Sequence, residues 1–515
     1  MWTQGWRDRL WSGLDGPWDL IVIGGGVTGA GILREAVRAG WRTLLVEAHD
    51  FASGASSRSS KLVHGGLRYL SHGQIRLTAE SVRERERLLA EGPGLIEPLD
   101  NLLASYQGDR PPAWVMAAGL AVYDILARKW RNRRYGIAAA RELCPQLETA
   151  RMAGAFGYVD ATTDDARLTL RVIQEAVLSG GAALSYAPAT NLLRDSRGRV
   201  QGVALRDQVT GAEREVRSPV VISAAGAWAD ELRDHAGAWR RLRPLRGSHL
   251  FFPWRKIPLT RCVGFLHPAD RRPVFAYPWE GVTILGTTDV DQGREVPADP
   301  SISPAEIDYL MQAATHAFRP AGLSERDVLA TQSGIRPVVD SGQANPSKES
   351  RDFVLWDEQG LLTITGGKLT TFRVMALKAL DAVRRRLPEA RPVADHRVLA
   401  LCEGPRGRIP GRYGADARRL LDAAQPGELE PIGETRTLWA ELRWAARAEG
   451  VVRLEDLLLR RTRLGILTPE GGRPFMARIQ EIAQPELGWD DARWRNELES
   501  YYNLWRRSYR GALSS

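Results

Sequence analysis

The sequence predicts an α/β fold in three parts: a parallel βαβ layer, a layer built on an antiparallel sheet, and a C-terminal α-helical domain. Three observations predict it. Residues 19–50, "DLIVIGGGVTGAGILREAVRAGWRTLLVEAHD", read strand, glycine turn, helix, strand. The middle of the chain carries short β-rich runs bounded by Pro and Gly: "HLFFPW", "VFAYPW" and "VTILGTTDV". Beyond residue 411, "TRTLWAELRWAARAEG", "RLEDLLLRRTRLGI" and "RWRNELESYYNLWRRSYRGAL" repeat apolar residues at helical spacing.

Taken in order, Leu20–Ile23 is wholly apolar and rich in β-branched residues, as a buried strand is. Residues 30–39 read as a helix stopped by Gly40, and residues 43–46 as the next strand. That spacing is a parallel βαβ unit. Residues 75–90, "IRLTAESVRERERLLA", form an amphipathic helix with interleaved charge. The middle runs alternate like antiparallel strands with one covered face, which suggests a layer over a substrate. "LLTITGGKLTTFRVMALKALDAVRRRL" returns to strand, glycine turn and helix. Residues 388–410 are rich in Pro, Gly and Arg and read as a linker before the helical domain, 411–515.

Bulk properties exclude several classes. A chain of 515 residues needs more than one core. It has no apolar run long enough to span a bilayer, and "MWTQGWRDRLWSGLDG" lacks the apolar region of a secretory signal. Cys144, Cys262 and Cys402 are scattered, so neither a disulfide framework nor a metal site is expected. The net charge of +9 comes from 71 basic and 62 acidic residues, and only six of the basic ones are lysine. This arginine bias reads as codon composition, and no nucleic-acid partner is expected.

Gly24, Gly26 and Gly29 fit G-x-G-x-x-G at the end of a strand and the start of a helix. The first glycine allows the tight turn, the second lets backbone approach a pyrophosphate, and the third lets the helix pack on the sheet. The helix N-terminus favours the phosphates. Glu47 follows at the end of the second strand, where a carboxylate accepts hydrogen bonds from ribose hydroxyls. The motif alone does not separate NAD from FAD. It occurs once, near the N-terminus of a long chain with a distant return segment, and this favours FAD.

"FASGASSRSSKLVHGGLRYL" (51–70), taken with the glycine motif, resembles the FAD-dependent glycerol-3-phosphate dehydrogenases. So do "YVDATTDDARLTL", "SAAGAWAD", "RPLRGSHLFFP", "VTILGTTDV", "SGIRPVV" and "TGGKLTTFRVMA", in the family's order. The resemblance implies oxidation of sn-glycerol 3-phosphate to dihydroxyacetone phosphate at FAD, with electrons passed to a membrane quinone. It implies a Rossmann-like flavin unit over residues 1–387, whose FAD-binding segments (about 18–75, 155–235 and 330–387) interleave with a substrate domain mainly at about 240–330. One departure is Ala55, where relatives commonly have Thr in the serine-rich loop. Another is the Trp-rich N-terminus.

Cofactor contacts are expected from Gly24, Gly26, Gly29, Glu47, Ser56, Ser57, Lys61, Leu62, Gly226, Gly367, Lys368, Leu369 and Thr370. Lys61 and Lys368 stand out because lysine is rare in this chain and both sit in Gly/Ser-rich segments. Lys368 is expected to stabilise the reduced flavin's negative charge. A substrate phosphate needs guanidinium forks, and the resemblance assigns Arg336, Arg351, Arg68 and Tyr69. The base for the C2 hydroxyl is expected to be a histidine. His249, in "RGSHLFF", is the first choice and His64, in "LVHGG", the second.

Residues 113–126, "AWVMAAGLAVYDIL", are apolar but too short to span a bilayer, and "RKWRNRRY" follows directly. That pairing suits the interface of an anionic membrane, with Trp2, Trp6 and Leu10 as helpers. The expected location is the cytoplasmic side, attached peripherally to the cell membrane. Three readings stay open: the quinone-linked enzyme, an oxidase that passes electrons to oxygen and releases peroxide, and a flavoprotein acting on another anionic 2-hydroxy substrate. A homodimer is also left open.

Overall fold

The computed structural model describes residues 2–70, 73–110, 112–342, 349, 352–393, 395–400 and 407–513, the side chains of residues 68 and 69 excepted. Among these, a six-stranded sheet forms the first layer, in the order 353–358, 361–366, 221–223, 20–23, 43–46, 182–184. All neighbours pair in parallel except the edge strand Phe353–Glu358, which is antiparallel to Leu361–Gly366. Leu20–Ile23 and Thr43–Val46 are buried throughout, as their apolar runs require.

The helix after the first strand begins earlier than its periodicity suggests, at Val27, and runs to Arg38. Gly29 and Gly31 lie inside it because neighbours press close. A Cβ at 29 would lie 1.9 Å from the Gly24 carbonyl oxygen, and one at 31 would lie 2.9 Å from Phe372. The helix packs between Asp165–Leu178 and Phe372–Val383.

The second layer is a ten-stranded sheet. Leu242–Pro253, one of its two longest strands, lies toward one end and is antiparallel to both Val282–Gly286 and Ala330–Val339. The sheet is wider than the 240–330 segment expected of it. Ile96–Tyr106 and Met152–Thr163 pair with each other, and the former joins Cys262–Leu266 in parallel. Met152–Thr163 therefore belongs to this second sheet, although it overlaps the expected cofactor-binding segment of 155–235. A strand's alternation reports a covered face but not which sheet covers it.

Beyond residue 407 the described chain is mostly helical, with helices that include Trp439–Ala448, Met476–Leu487 and Asp491–Trp505. Its core is continuous with the large sheet: Trp439, Leu457, Leu458, Trp494 and Trp505 cluster with Phe251, Tyr277 and Trp279. The segment before it is no free tether. Val398 and Leu399 are buried against the flavin layer, and the Val398 N–H donates to Glu91. The N-terminal tryptophans are also interior. Trp2 stacks on Phe51 at 5.2 Å and lies 5.7 Å from Trp6, both rings being buried, so neither can enter a membrane. Leu10 packs on the same core.

Candidate active site

One cavity of about 1500 Å³ runs between the two layers. At one end it is bounded by the glycine turn. Gly24 has φ +112°, and a Cβ there would meet the Ala224 carbonyl oxygen at 2.5 Å, so only glycine closes this turn. Gly26 leaves the helix N-terminus bare toward the cavity, and the Val27 N–H donates to Ser56 Oγ at 2.9 Å. Glu47 is fixed by two backbone donors: Gly25 N–H to Oε2 at 2.6 Å and His49 N–H to Oε1 at 2.8 Å. Burial still pushes its carboxyl above the usual range, against those two donors.

The cavity continues past the serine-rich loop (Ser53 to Ser60), Gly226 and Thr365–Thr370 to Arg336. Its volume exceeds the several hundred Å³ typical of a single small ligand. A bare-glycine phosphate cradle, an acid at the second strand and a long cleft between layers fit FAD.

At the far end, Gly366 (φ +85°) and Gly367 (φ +74°) turn the strand into the segment that carries Lys368. Lys368 lies on the cavity wall, and its Nζ donates to Ser81 Oγ at 2.7 Å. Burial pushes its ammonium down to about 8, with Asp352 and Glu80 opposing. Thr370 Oγ1 donates to the His64 carbonyl at 3.1 Å and fixes the neighbouring wall. His64 lines the cavity. Burial lowers it to about 4, with Asp160 opposing and Lys368 and Arg85 assisting, so it is a neutral imidazole at working pH. Arg336 is half-buried. Its Nη1 donates to Asp289 Oδ1 at 3.1 Å, and its Nη2 donates to Thr287 Oγ1 at 3.1 Å. The guanidinium lies flat over Gly247, where a Cβ would come within 2.3 Å of Nη2.

The structure brings most of the expected residues to this cavity: Gly24, Gly26, Glu47, Ser56, Leu62, His64, Gly226, Arg336, Gly367, Lys368, Leu369 and Thr370. Gly29 serves packing instead. Lys61 and Ser57 turn away. Lys61 is fully buried, donating to Asp165 Oδ1 at 3.2 Å and Gln332 Oε1 at 2.9 Å. Burial lowers its ammonium to about 8, against Asp165. Ser57 gives its carbonyl, not its hydroxyl, to the surroundings.

His249 does not reach the cavity wall either. It is buried behind Ser60, whose Oγ lies 2.9 Å from Nε2, and it packs where a Gly286 Cβ would be. Its Nδ1 has no hydrogen-bond partner among the described residues. The backbone of Arg68 and Tyr69 lies in the short helix Leu67–Leu70, whose Leu67 and Leu70 line the cavity; their side chains, and all of Arg351, lie outside the described residues. Sequence reasoning missed Ser60, Ser81, Thr287 and Asp289. The last two sit in "LGTTDV", where a polar run directly after an apolar strand was the available signal.

A model of the FAD-dependent oxidoreductases matches residues 19–373, and a model of the C-terminal domain of alpha-glycerophosphate oxidase matches residues 407–494. The aerobic glycerol-3-phosphate dehydrogenase of Staphylococcus haemolyticus is 33% identical over 482 residues, 86% of each chain. Its counterpart in Staphylococcus epidermidis is 33% identical over 494 residues, 88% of each chain. The solved glycerol-3-phosphate dehydrogenase of Bacillus halodurans, complexed with FAD, superposes with a TM-score of 0.79 at 27% identity over 98% of each chain. The L-alpha-glycerophosphate oxidase of Mycoplasma pneumoniae shares the fold, with a TM-score of 0.60 at 17% identity over 75% of this chain and 98% of that one. With the glycine cradle and acid in place, and the two models matched in order along its length, the chain belongs to the FAD-dependent oxidoreductases.

Proposed function

We propose that the protein oxidises sn-glycerol 3-phosphate to dihydroxyacetone phosphate and passes the electrons to a membrane quinone. The observation that carries this reading is a half-buried Arg336, a neutral His64 and Lys368 on the wall of one cavity. A phosphate dianion needs a fixed guanidinium. Arg336 supplies it, braced by Asp289 and Thr287. His64 takes the C2 hydroxyl proton on a ring nitrogen, a role open to it because burial keeps the ring unprotonated. His249 acts indirectly, by holding Ser60. FAD, when bound, supplies the hydride-accepting chemistry. Lys368 and the N–H groups after Gly367 provide the positive end that a reduced flavin favours.

The acceptor and the membrane are read from the helix Ala113–Ala127. Val115, Met116, Gly119 and Val122 line the cavity, while Trp114 is 74% and Ile125 65% exposed on the outside. Exposed Arg128, Arg133, Arg134 and Trp130 follow it, and Lys129 pairs with Glu86. A short helix that is apolar outside and flanked by cations suits the interface of an anionic bilayer. No helix among the described residues is long and apolar enough to cross a membrane. The same helix thus offers a lipid-dissolved quinone a path to the cavity.

The test is turnover with sn-glycerol 3-phosphate in aerated buffer containing anionic liposomes and a soluble quinone. Quinone reduction should far outpace peroxide release. Peroxide formed mole for mole with substrate consumed, with quinone ignored, would make the protein an oxidase instead.

A further inference from the structure

The run "LLLRRTR" (457–463) of the C-terminal domain is buried against the back of the serine-rich loop. Arg460 and Arg461 both donate to Asp50, which is itself fully buried. Arg463 goes further. It is 1% exposed with φ +64°, a backbone conformation that costs a bulky residue energy and is held only by strong contacts. Its Nε donates to Asp164 Oδ1 at 3.0 Å, its Nη2 donates to Asp165 Oδ1, and its Nη1 donates to the Ser57 carbonyl at 3.2 Å. Lys61 Nζ and Gln332 Nε2 donate to the same Ser57 carbonyl, at 3.2 and 3.0 Å.

Asp165 relays the contact forward. Its Oδ2 accepts from the Ser59 N–H at 2.9 Å and the Ser59 hydroxyl at 2.7 Å. Ser59 and Ser60 line the cavity, and Ser60 meets His249. One arginine from a domain none of whose described residues lines the cavity therefore fixes the loop that does, directly at the Ser57 carbonyl and through the Asp165 carboxylate.

We propose that Arg463 is a positioning residue for the cofactor loop, and that the C-terminal helical domain acts as a clamp that sets the geometry of Ser57–Ser60 from behind. Its guanidinium fork is required, because it serves four acceptors, the Leu459 carbonyl at 2.8 Å being the fourth, and an ammonium on a flexible stem cannot hold all of them at once. The clamp acts on the loop whatever the substrate, so it stands independently of the glycerol phosphate reading.

The test compares Arg463→Met and Arg463→Lys with Arg443→Met in the full-length protein. Arg443 pairs with Glu428 and Glu486 inside the same domain and does not touch the loop. The readouts are FAD affinity of the stripped protein, the visible circular dichroism of bound flavin, and thermal unfolding. Loss of a hydrogen-bonding partner behind a metal ligand costs about 10- to 100-fold in affinity or activity, and a partner behind a cofactor loop is expected to act on the same scale. Arg463→Met should therefore weaken FAD binding at least about tenfold and change the flavin dichroism, and Arg463→Lys should fall between it and the parent. Arg443→Met should lower thermal stability yet leave both flavin readouts unchanged. A folded Arg463→Met protein with parental FAD affinity and dichroism would overturn the proposal. Should that variant fail to fold, parental values for Arg463→Lys would overturn it equally.

Discussion

Lys368 gives the account a pH signature. Its ammonium is drawn from the ordinary 10.5 down to about 8 by burial, a change equal to about 3 kcal/mol against the charged form. The sign follows directly. Below about 8 the side chain is charged and can stabilise a negative flavin; above about 8 it is neutral and cannot. On this reasoning kcat/KM holds level between about pH 6 and about pH 8 and then falls about tenfold per pH unit, because kcat/KM reports the ionisations of free enzyme and free substrate. His64 is already neutral above about 4, so it sets no limb in the working range. An acid limb near 6 belongs to the second ionisation of the substrate phosphate. Lys368→Met should reduce kcat/KM by about 10²- to 10³-fold, the cost of losing one charge-stabilising donor, and should erase the alkaline limb. Lys368→Arg should move that limb beyond pH 10, since guanidinium keeps its proton. The assay is steady-state turnover from pH 5 to 10 with FAD content measured for each variant. If the limb near 8 persists in Lys368→Met, the reasoning fails. Lys61, also lowered to about 8 but buried against Asp165, would then be the group responsible.

Other substitutions probe other parts of the account. Gly247→Ala places a Cβ within 2.3 Å of the Arg336 guanidinium and should raise KM by about tenfold or more with FAD retained, as loss of a well-placed phosphate contact does; an unchanged KM would remove Arg336 from substrate binding. Trp114→Ser combined with Ile125→Ser strips two exposed apolar side chains worth about 1.5–3 kcal/mol each, so sedimentation with anionic liposomes should weaken by about 100-fold or more. Asp50→Asn leaves Arg461 buried without its carboxylate, while Arg460 keeps Asp456 and Glu455, and should cost about 3–5 kcal/mol in unfolding free energy. The Asp50 carboxyl is held below its usual range by Arg461 and Arg460 in spite of burial, so its contribution is present at neutral pH and fades only in strong acid.

The parts of the molecule that depend on local chemistry were legible in the sequence. The glycine turn, the acid at Glu47 and the short β-rich runs follow from backbone geometry and periodicity, and they lie where the residues predicted. What depends on distant partners was not legible. Lys61 reads as a cofactor ligand until Asp165, 104 positions away, and Gln332, 271 positions away, are seen to hold it. His249 and His64 both sit in recognisable segments, but only the packing of the two layers decides which residue lines the cavity. Trp2 and Trp6 repeat like the face of a surface helix, yet the buried side of such a helix has the same pattern. The wide second sheet borrows Ile96–Tyr106 and Met152–Thr163 through long-range pairing that no local window contains.

The central claim is that one cavity joins a bound flavin to glycerol phosphate. Its most direct test is the visible absorption of the purified holoprotein during anaerobic titration with sn-glycerol 3-phosphate. The account predicts that the flavin bands bleach with about one equivalent of substrate, as a single two-electron site requires, and that colour returns on adding quinone. A flavin that keeps its colour through a large excess of sn-glycerol 3-phosphate, yet bleaches with a chemical reductant, would contradict it.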